Sequence, residues 1–235
     1  MGKRGKLGNK LADSHESRPI PVRAYKLFIL IVCEDEKTEP YYFDGFKKLF
    51  PARTCFIKEV GTGKKPLAIV KHAISEKNSF LLEKKKEYDS VWVVFDVDDE
   101  GQNVKTAASF KQALDIAKEN SIKVAASNEV FELWLLLHFS DVESSKSMGR
   151  KEIYTKIEEA IRLKKGLKSF MYQHGKTTVV DLVRKYGNEG SAMRRARGLE
   201  TFNAKRNILA ANPSTQMHHL VKFLREWVQY FSIKK

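Results

Sequence analysis

The chain is predicted to be an α/β protein with a mostly parallel sheet flanked by helices and an α-helical C-terminal region. Three observations carry this. Short runs that are apolar throughout, at residues 27–33 (LFILIVC) and 91–95 (VWVVF), have the pattern of strands buried on both faces of a parallel sheet. Between such runs lie segments with helical apolar spacing, so strand and helix alternate. Beyond residue 142 only helical patterns recur. The 42% of hydrophobic residues in 235 is ample for a core of this size.

The elements follow in order. The first strand ends in Glu34-Asp35-Glu36. A helix comes next, with Thr38 as its expected N-cap, Pro40 in its first turn, and an apolar face of Tyr42, Phe43, Phe46, Leu49 and Phe50. Residues 54–60 (TCFIKEV) read as a second strand closed by Gly61-Thr62-Gly63, and Pro66 opens a long helix. The third strand, 91–95, ends in Asp96, Asp98, Asp99 and Glu100. A helix over 107–120, a short strand over 122–126 and an apolar helix over 130–139 complete the α/β part. Residues 150–164, 177–186, 189–209 and 214–231 are expected to be helical. The composition break at 140–149 divides the chain into a basic, mobile tail (1–25), a core (26–142) and a basic helical region (143–235).

Charge is distributed unevenly. The net +14 arises from the flanks: residues 1–26 hold seven Lys/Arg against two acids, and residues 143–206 hold 16 against seven. Residues 27–142, by contrast, hold 16 against 19. Basic surface of this extent points to a polyanion, with nucleic acid as the default partner. No segment has the ~20 apolar residues of a membrane span, so no membrane partner is expected. Residues 1–26 lack the apolar stretch of a secretory signal. Cys33 and Cys55 are too few for a disulfide framework or a four-cysteine zinc site, which points to a reducing, cytoplasmic setting. Cys33 itself reads as a core residue.

In parallel α/β sheets ligands bind at the carboxyl ends of strands. Two of the strongest strands end there in carboxylates: Glu34 on the first, Asp96 and Asp98 on the third. The Asp-Val-Asp spacing turns two side chains to one side of an extended chain. If the first and third strands are neighbours, three carboxylates converge from positions 62 residues apart in sequence. Such a cluster requires cations, and a hard oxygen-preferring ion such as Mg²⁺, with Mn²⁺ as substitute, suits it. Glu34 is alternatively placed to act as a general acid or base.

Four segments resemble motifs of the RloB-like protein family: ILIVCEDEKTEP (29–40), VVFDVDD (93–99), SNEVFELWLLLHF (127–139) and NPSTQMHHLV (212–221). That family is similar to the Toprim (Rossmann-like) fold. The resemblance implies that Glu34, Asp96 and Asp98 bind Mg²⁺ for phosphodiester chemistry, with Asp99 as helper. It also implies an endonuclease effector of bacterial anti-phage (abortive infection) defence. RNA, with tRNA a candidate, is favoured over DNA, and an ABC-type or AAA-type ATPase is the implied partner. Two departures stand out. Asp35 replaces the usual Gly and is expected to tolerate a left-handed turn, and SNEVFE replaces SNPCFE at 127–132.

Further candidates are single residues. Glu132, an acid within an apolar helix, is expected to face the site, a Lys or a helix terminus. Lys37 is placed to stabilise phosphate charge or to pair with Glu34 or Glu39. Lys64, after the glycine turn, could receive a phosphate. Ser127 and Asn128 are expected to contact phosphate or cap the next helix. Lys176 resembles a family lysine, while Gly175-Lys176-Thr177 fails as a P-loop because position 170 is Phe and no buried strand precedes it. Arg194, Arg195 and Arg197 form the densest basic helix and suit a phosphate backbone, with Tyr172, Tyr186 and Phe202 as stacking candidates. His138, His174, His218 and His219 lack a metal-binding spacing such as H-E-x-x-H, and His138 is expected to be structural. Two rival readings remain: a haloacid-dehalogenase-like phosphatase with Asp96 as nucleophile, and a non-catalytic nucleic-acid- or ATPase-binding subunit.

Overall fold

A computed structural model describes residues 25–97 and 104–233. The expected alternation is present. Strand β1 (Leu27–Cys33) is followed by α1 (Thr38–Lys47), β2 (Cys55–Gly61), α2 (Pro66–Lys84) and β3 (Ser90–Asp96). Then come α3 (Val104–Glu119), β4 (Lys123–Asn128) and α4 (Glu132–Leu137). The C-terminal part holds α5 (Arg150–Arg162), α6 (Thr178–Tyr186), α7 (Glu189–Phe202), β5 (Ser214–Thr215) and α8 (Met217–Ile233). The five strands are ordered β2-β1-β3-β4-β5, with β5 antiparallel and the rest parallel.

Alternation along β1 explains why the run is apolar throughout. Leu27, Ile29, Ile31 and Cys33 pack into one core with α1 and the C-terminal helices, and Phe28, Leu30 and Val32 pack into a second core with α2 and α3. Each face is therefore covered, as a parallel sheet requires. The C-terminal helices contribute to the first core through regularly spaced apolar residues: Ile153, Ile157 and Ile161 on α5, and Leu220, Val221 and Leu224 on α8. Ala192 and Ala196 on α7 are fully buried and let that helix approach closely.

The strand order creates a crevice. The chain leaves β1 through α1, on one face, to reach β2 at the edge. It returns through α2, on the other face, to place β3 on the opposite side of β1. The carboxyl ends of β1 and β3 are thus a topological switch point, where open α/β sheets bind ligands.

Several expectations are corrected. A strand, β5, lies beyond residue 142, where only helices are expected, and α8 begins at Met217 rather than at 214. Two residues are too few to show periodicity; β5 exists because it extends β4, pairing Ser127 with Thr215. The helix expected over 189–209 stops at Phe202 because Asn203, buried, donates from Nδ2 to the carbonyls of Leu199 and Pro213. Thr38 is not the N-cap of α1: Lys37 occupies that position, and the carboxylate of Asp35 accepts from the Thr38 N–H at 2.6 Å. The positive-φ positions other than glycine are Arg53, Lys85 and Ser121 among the described residues, so Asp35 replaces Gly as a capping acid and not as a left-handed turn.

Candidate active site

Glu34 follows β1 directly, and its backbone N–H still donates to Val94 O of β3 at 2.9 Å. This continuation of the ladder holds the side chain against the end of β3. Glu34 Oε2 accepts from the Asp96 N–H at 3.1 Å, so residues 62 apart meet. Asp96 points toward the face covered by α4, and its Oδ1 is shut from solvent without a hydrogen-bond partner. Burial raises the Asp96 carboxyl well above its ordinary range, with the charges of Glu132 and Glu34 adding to the effect.

Two further acids belong to the cluster. Glu132, the first residue of α4, is only 4% exposed. Its Oε1 accepts from the Tyr172 hydroxyl at 2.5 Å and lies 3.7 Å from His174 Nδ1. Contact with Glu132 raises the His174 imidazole above its usual value, and burial beside Glu132 raises the Tyr172 phenol. Glu39, in the first turn of α1 and 1% exposed, accepts from the Asp35 N–H at 3.2 Å. Burial lifts its carboxyl well above normal, helped by the charges of Asp96, Glu34 and Asp35. Arg150, at the start of α5, is close enough to favour the ionised form of Asp96.

The glycine turn after β2 supports this acidic loop. The Thr62 N–H and Oγ1 both donate to Cys33 O, and the Gly63 N–H donates to Glu34 O at 2.8 Å. A side chain at Gly61 would meet Glu36 Cα at 2.5 Å, so only glycine admits this close approach. These amides are spent on the Glu34 loop and do not form a phosphate cradle. Lys64 beyond them is exposed, as is Lys37, and both flank Glu36 at the rim.

The other candidates divide. Asp98 and Asp99 lie outside the described residues. Lys176 is exposed two residues after His174, in the segment that brings Tyr172 and His174 to Glu132. Ser127 and Asn128 are 1% and 3% exposed, and neither caps α4, whose N-cap is Phe131. Ser127 Oγ hydrogen-bonds Thr215 Oγ1, and Asn128 Nδ2 donates to the carbonyls of Ile208 and Leu209. They are ties between β4 and the C-terminal segment. Arg195 is likewise committed: Nε and Nη2 donate to Asp141, and Nη1 to Leu137 O at the far end of α4 from Glu132. Arg194 and Arg197 remain exposed. Tyr172 stacks on Tyr154 with ring centroids 4.6 Å apart. His138 is buried against Trp134 O, as expected, and Cys33 is buried with its thiol pushed up by burial.

Glu39, Arg150, Tyr154 and His174 are members of the site that residue patterns did not single out. Glu39 was visible as an acid within the apolar face of a helix, the same signal that marked Glu132. The others come from segments whose approach depends on the tertiary fold.

Glu34 and Asp96 meet at the switch point, and Asp96 has an orphaned buried oxygen; such oxygen donors fit a hard divalent cation better than a soft one. Among the described residues no helix is long and apolar enough to cross a membrane. No curated protein and no solved structure matches the chain. The model of one family, RloB-like protein, matches residues 29–224, which include every strand except the first two residues of β1, and which end within the last helix. By that match across most of its length, the chain belongs to the RloB-like protein family.

Proposed function

We propose that this protein is a Mg²⁺- or Mn²⁺-dependent endonuclease, a Toprim-like effector of bacterial anti-phage defence that cuts RNA in preference to DNA. The observation that carries the proposal is the contact of Glu34 with Asp96 at the switch point of the sheet, with Asp96 Oδ1 buried and unpartnered. Metal-free carboxylates repel in such a crevice, and the raised carboxyls of Asp96 and Glu39 express their burial first and that repulsion second. Glu34 and Asp96 would hold the ion, with Asp98 the third ligand that the Asp-Val-Asp spacing supplies. The ion would contribute Lewis-acid stabilisation of phosphate charge and a nucleophilic water at neutral pH.

The chain's own residues do the rest. Tyr172 and His174 fix the Glu132 carboxylate through Oε1, so that its charge stays directed at the cluster. His174, 67% exposed in its side chain, presents a readily protonated imidazole at the entrance, suited to hold a phosphate or to give a proton to the leaving oxygen. Lys37, Lys64 and Lys176 stand exposed around the loops of the site, and Arg194 and Arg197 extend the basic surface on α7. An ABC-type or AAA-type ATPase would be the partner of this assembly.

The test is cleavage of RNA and DNA by purified protein with Mg²⁺ or Mn²⁺. Parent protein cuts, and Glu34→Gln and Asp96→Asn do not. Undiminished cutting by both variants would reject the site. Nucleic-acid binding without turnover in the parent, with and without an ATPase, would favour a binding subunit.

A further inference from the structure

A second cluster of ionisable side chains lies two strands away from the acids. Asp96 is in register with Ser127 of β4, and Ser127 with Thr215 of β5, roughly 10 Å across at ~4.8 Å per strand. One turn further, His218 and His219 open α8, and Glu200 reaches them from α7.

The hydrogen bonds define the protons. His218 is 2% exposed. Its Nδ1 lies 3.1 Å from Thr215 O, which can only accept, so Nδ1 carries a proton. Its Nε2 lies 3.0 Å from Glu200 Oε2, and His219 Nε2 lies 2.8 Å from Glu200 Oε1. If the His218 ring is neutral, Nε2 is a lone pair aimed at a carboxylate oxygen, a contact that a cation must bridge. If the His218 ring is charged, a buried imidazolium shares the Glu200 carboxylate with a second imidazole whose centroid lies 4.0 Å away.

A metal ion removes the conflict. One ligand atom from each of Glu200, His218 and His219 lies within 4.8 Å of the others, and tetrahedral ligands at ~2.0–2.1 Å sit roughly 3.3 Å apart, so only small side-chain movements are needed. Two imidazoles and one carboxylate form a borderline donor set, unlike the all-oxygen set at Asp96. The Thr215 carbonyl on the far nitrogen of His218 orients the ring as the outer partners of metal-ligating histidines do. We propose that Glu200, His218 and His219 form a binding site for a divalent transition-metal ion of the zinc class, which ties α7 to the start of α8 and to β5. Three protein ligands leave a fourth position toward solvent, on the side where Glu200 and His219 are 44% and 47% exposed. The bound ion would anchor the last strand of the sheet, and through Thr215 and Ser127 the end of β4 beside the acidic crevice.

The experiment is a Co²⁺ titration of the chelator-stripped full chain in excess Mg²⁺, which occupies hard-cation sites. The expected result is one equivalent bound with the ligand-field absorption of tetrahedral Co²⁺, displaced by Zn²⁺. His219→Ala and Glu200→Gln, both at exposed side chains and so expected to fold, should weaken binding at least tenfold and lose the spectrum. Asp96→Asn should keep it. No tetrahedral spectrum in the parent, or equal affinity in His219→Ala and Glu200→Gln, would overturn the proposal and leave a hydrogen-bonded His–Glu–His network. Loss of the spectrum in Asp96→Asn alone would also overturn it, by placing the ion in the acidic crevice.

Discussion

Glu34, Glu39, Asp96 and Glu132 bring four carboxylates to the ends of β1 and β3, whereas Arg194, Arg195 and Arg197 bring three guanidiniums to α7. The fold treats the two groups differently. On α7 the central charge is neutralised in place: Arg195 takes both oxygens of Asp141 and the carbonyl of Leu137, and its two neighbours face solvent. At the strand ends, acid meets acid. Asp96 has an orphaned oxygen, and the carboxyls of Asp96 and Glu39 are raised by burial and by neighbouring acids, Glu132 and Glu34 for the first, Asp96, Glu34 and Asp35 for the second. Like charges that a fold gathers in a buried crevice are costly, and a bound cation would offset that cost. Like charges that are paired or solvated need no ligand.

The largest expected effect tests the crevice directly. Asp96→Asn and Glu34→Gln should each lower cleavage by about 10²–10³-fold, as when a group that stabilises transition-state charge is removed. Their melting temperatures without metal should not fall, because each change removes a repelling charge. Glu132→Gln should have a smaller effect, about 10–100-fold in metal affinity, the range for residues that orient a metal site from behind. An equal loss in all three would mean that Glu132 is itself a ligand.

The third prediction concerns pH. Asp96 and Glu39 have folded-state carboxyls above their unfolded values, so the folded chain holds protons the unfolded chain releases. Their stabilising contribution is complete below the ordinary carboxylate range of about 4 and is lost as pH rises through the raised values. Metal-free protein should therefore melt at lower temperature as pH rises from that range toward neutrality. Mg²⁺ should restore the melting temperature, most at the higher pH. Asp96→Asn should flatten both trends, and a parent indifferent to Mg²⁺ would end the contrast between the two regions.

The smallest effects lie on α7. Arg194→Ala and Arg197→Ala should leave the fold unchanged and weaken RNA binding, reducing the slope of log K against log salt by about 0.7–0.9 for each phosphate no longer neutralised. Arg195→Ala should do the reverse, costing about 1–2 kcal/mol of stability as the bonds to Asp141 and Leu137 are removed. If Arg195→Ala instead affects binding as Arg194→Ala does, its pairing with Asp141 yields to nucleic acid.

Much of the fold could be read along the chain because its determinants are local. Apolar runs at 27–33 and 91–95 can only be strands covered on both faces, and the acids that end them abruptly are visible as acids. Pro66 marks the start of α2 in both sequence and structure. The adjacency of β1 and β3 was a condition in the sequence, and the order β2-β1-β3-β4-β5 meets it. Other features were not legible. A two-residue strand has no period, and the asparagine that stops α7 acts through a carbonyl ten residues on. The burial of Ser127 and Asn128 depends on β5 and on residues 208–209, about 80 positions away.

By itself, then, the sequence determined the α/β class, the order of the main elements, and which strands end in carboxylates. Each of these follows from spacing within a few residues, where side-chain direction is set by backbone geometry. Only the tertiary structure decided which charges are buried together and which are paired or solvated. That depends on approach across the sheet and between helices: Tyr172 and His174 to Glu132, Asp141 to Arg195, Glu200 to His218. An acid's sequence neighbours do not report its desolvation or its partners, and these two terms decide whether it is a solvated charge, an ion pair or a site.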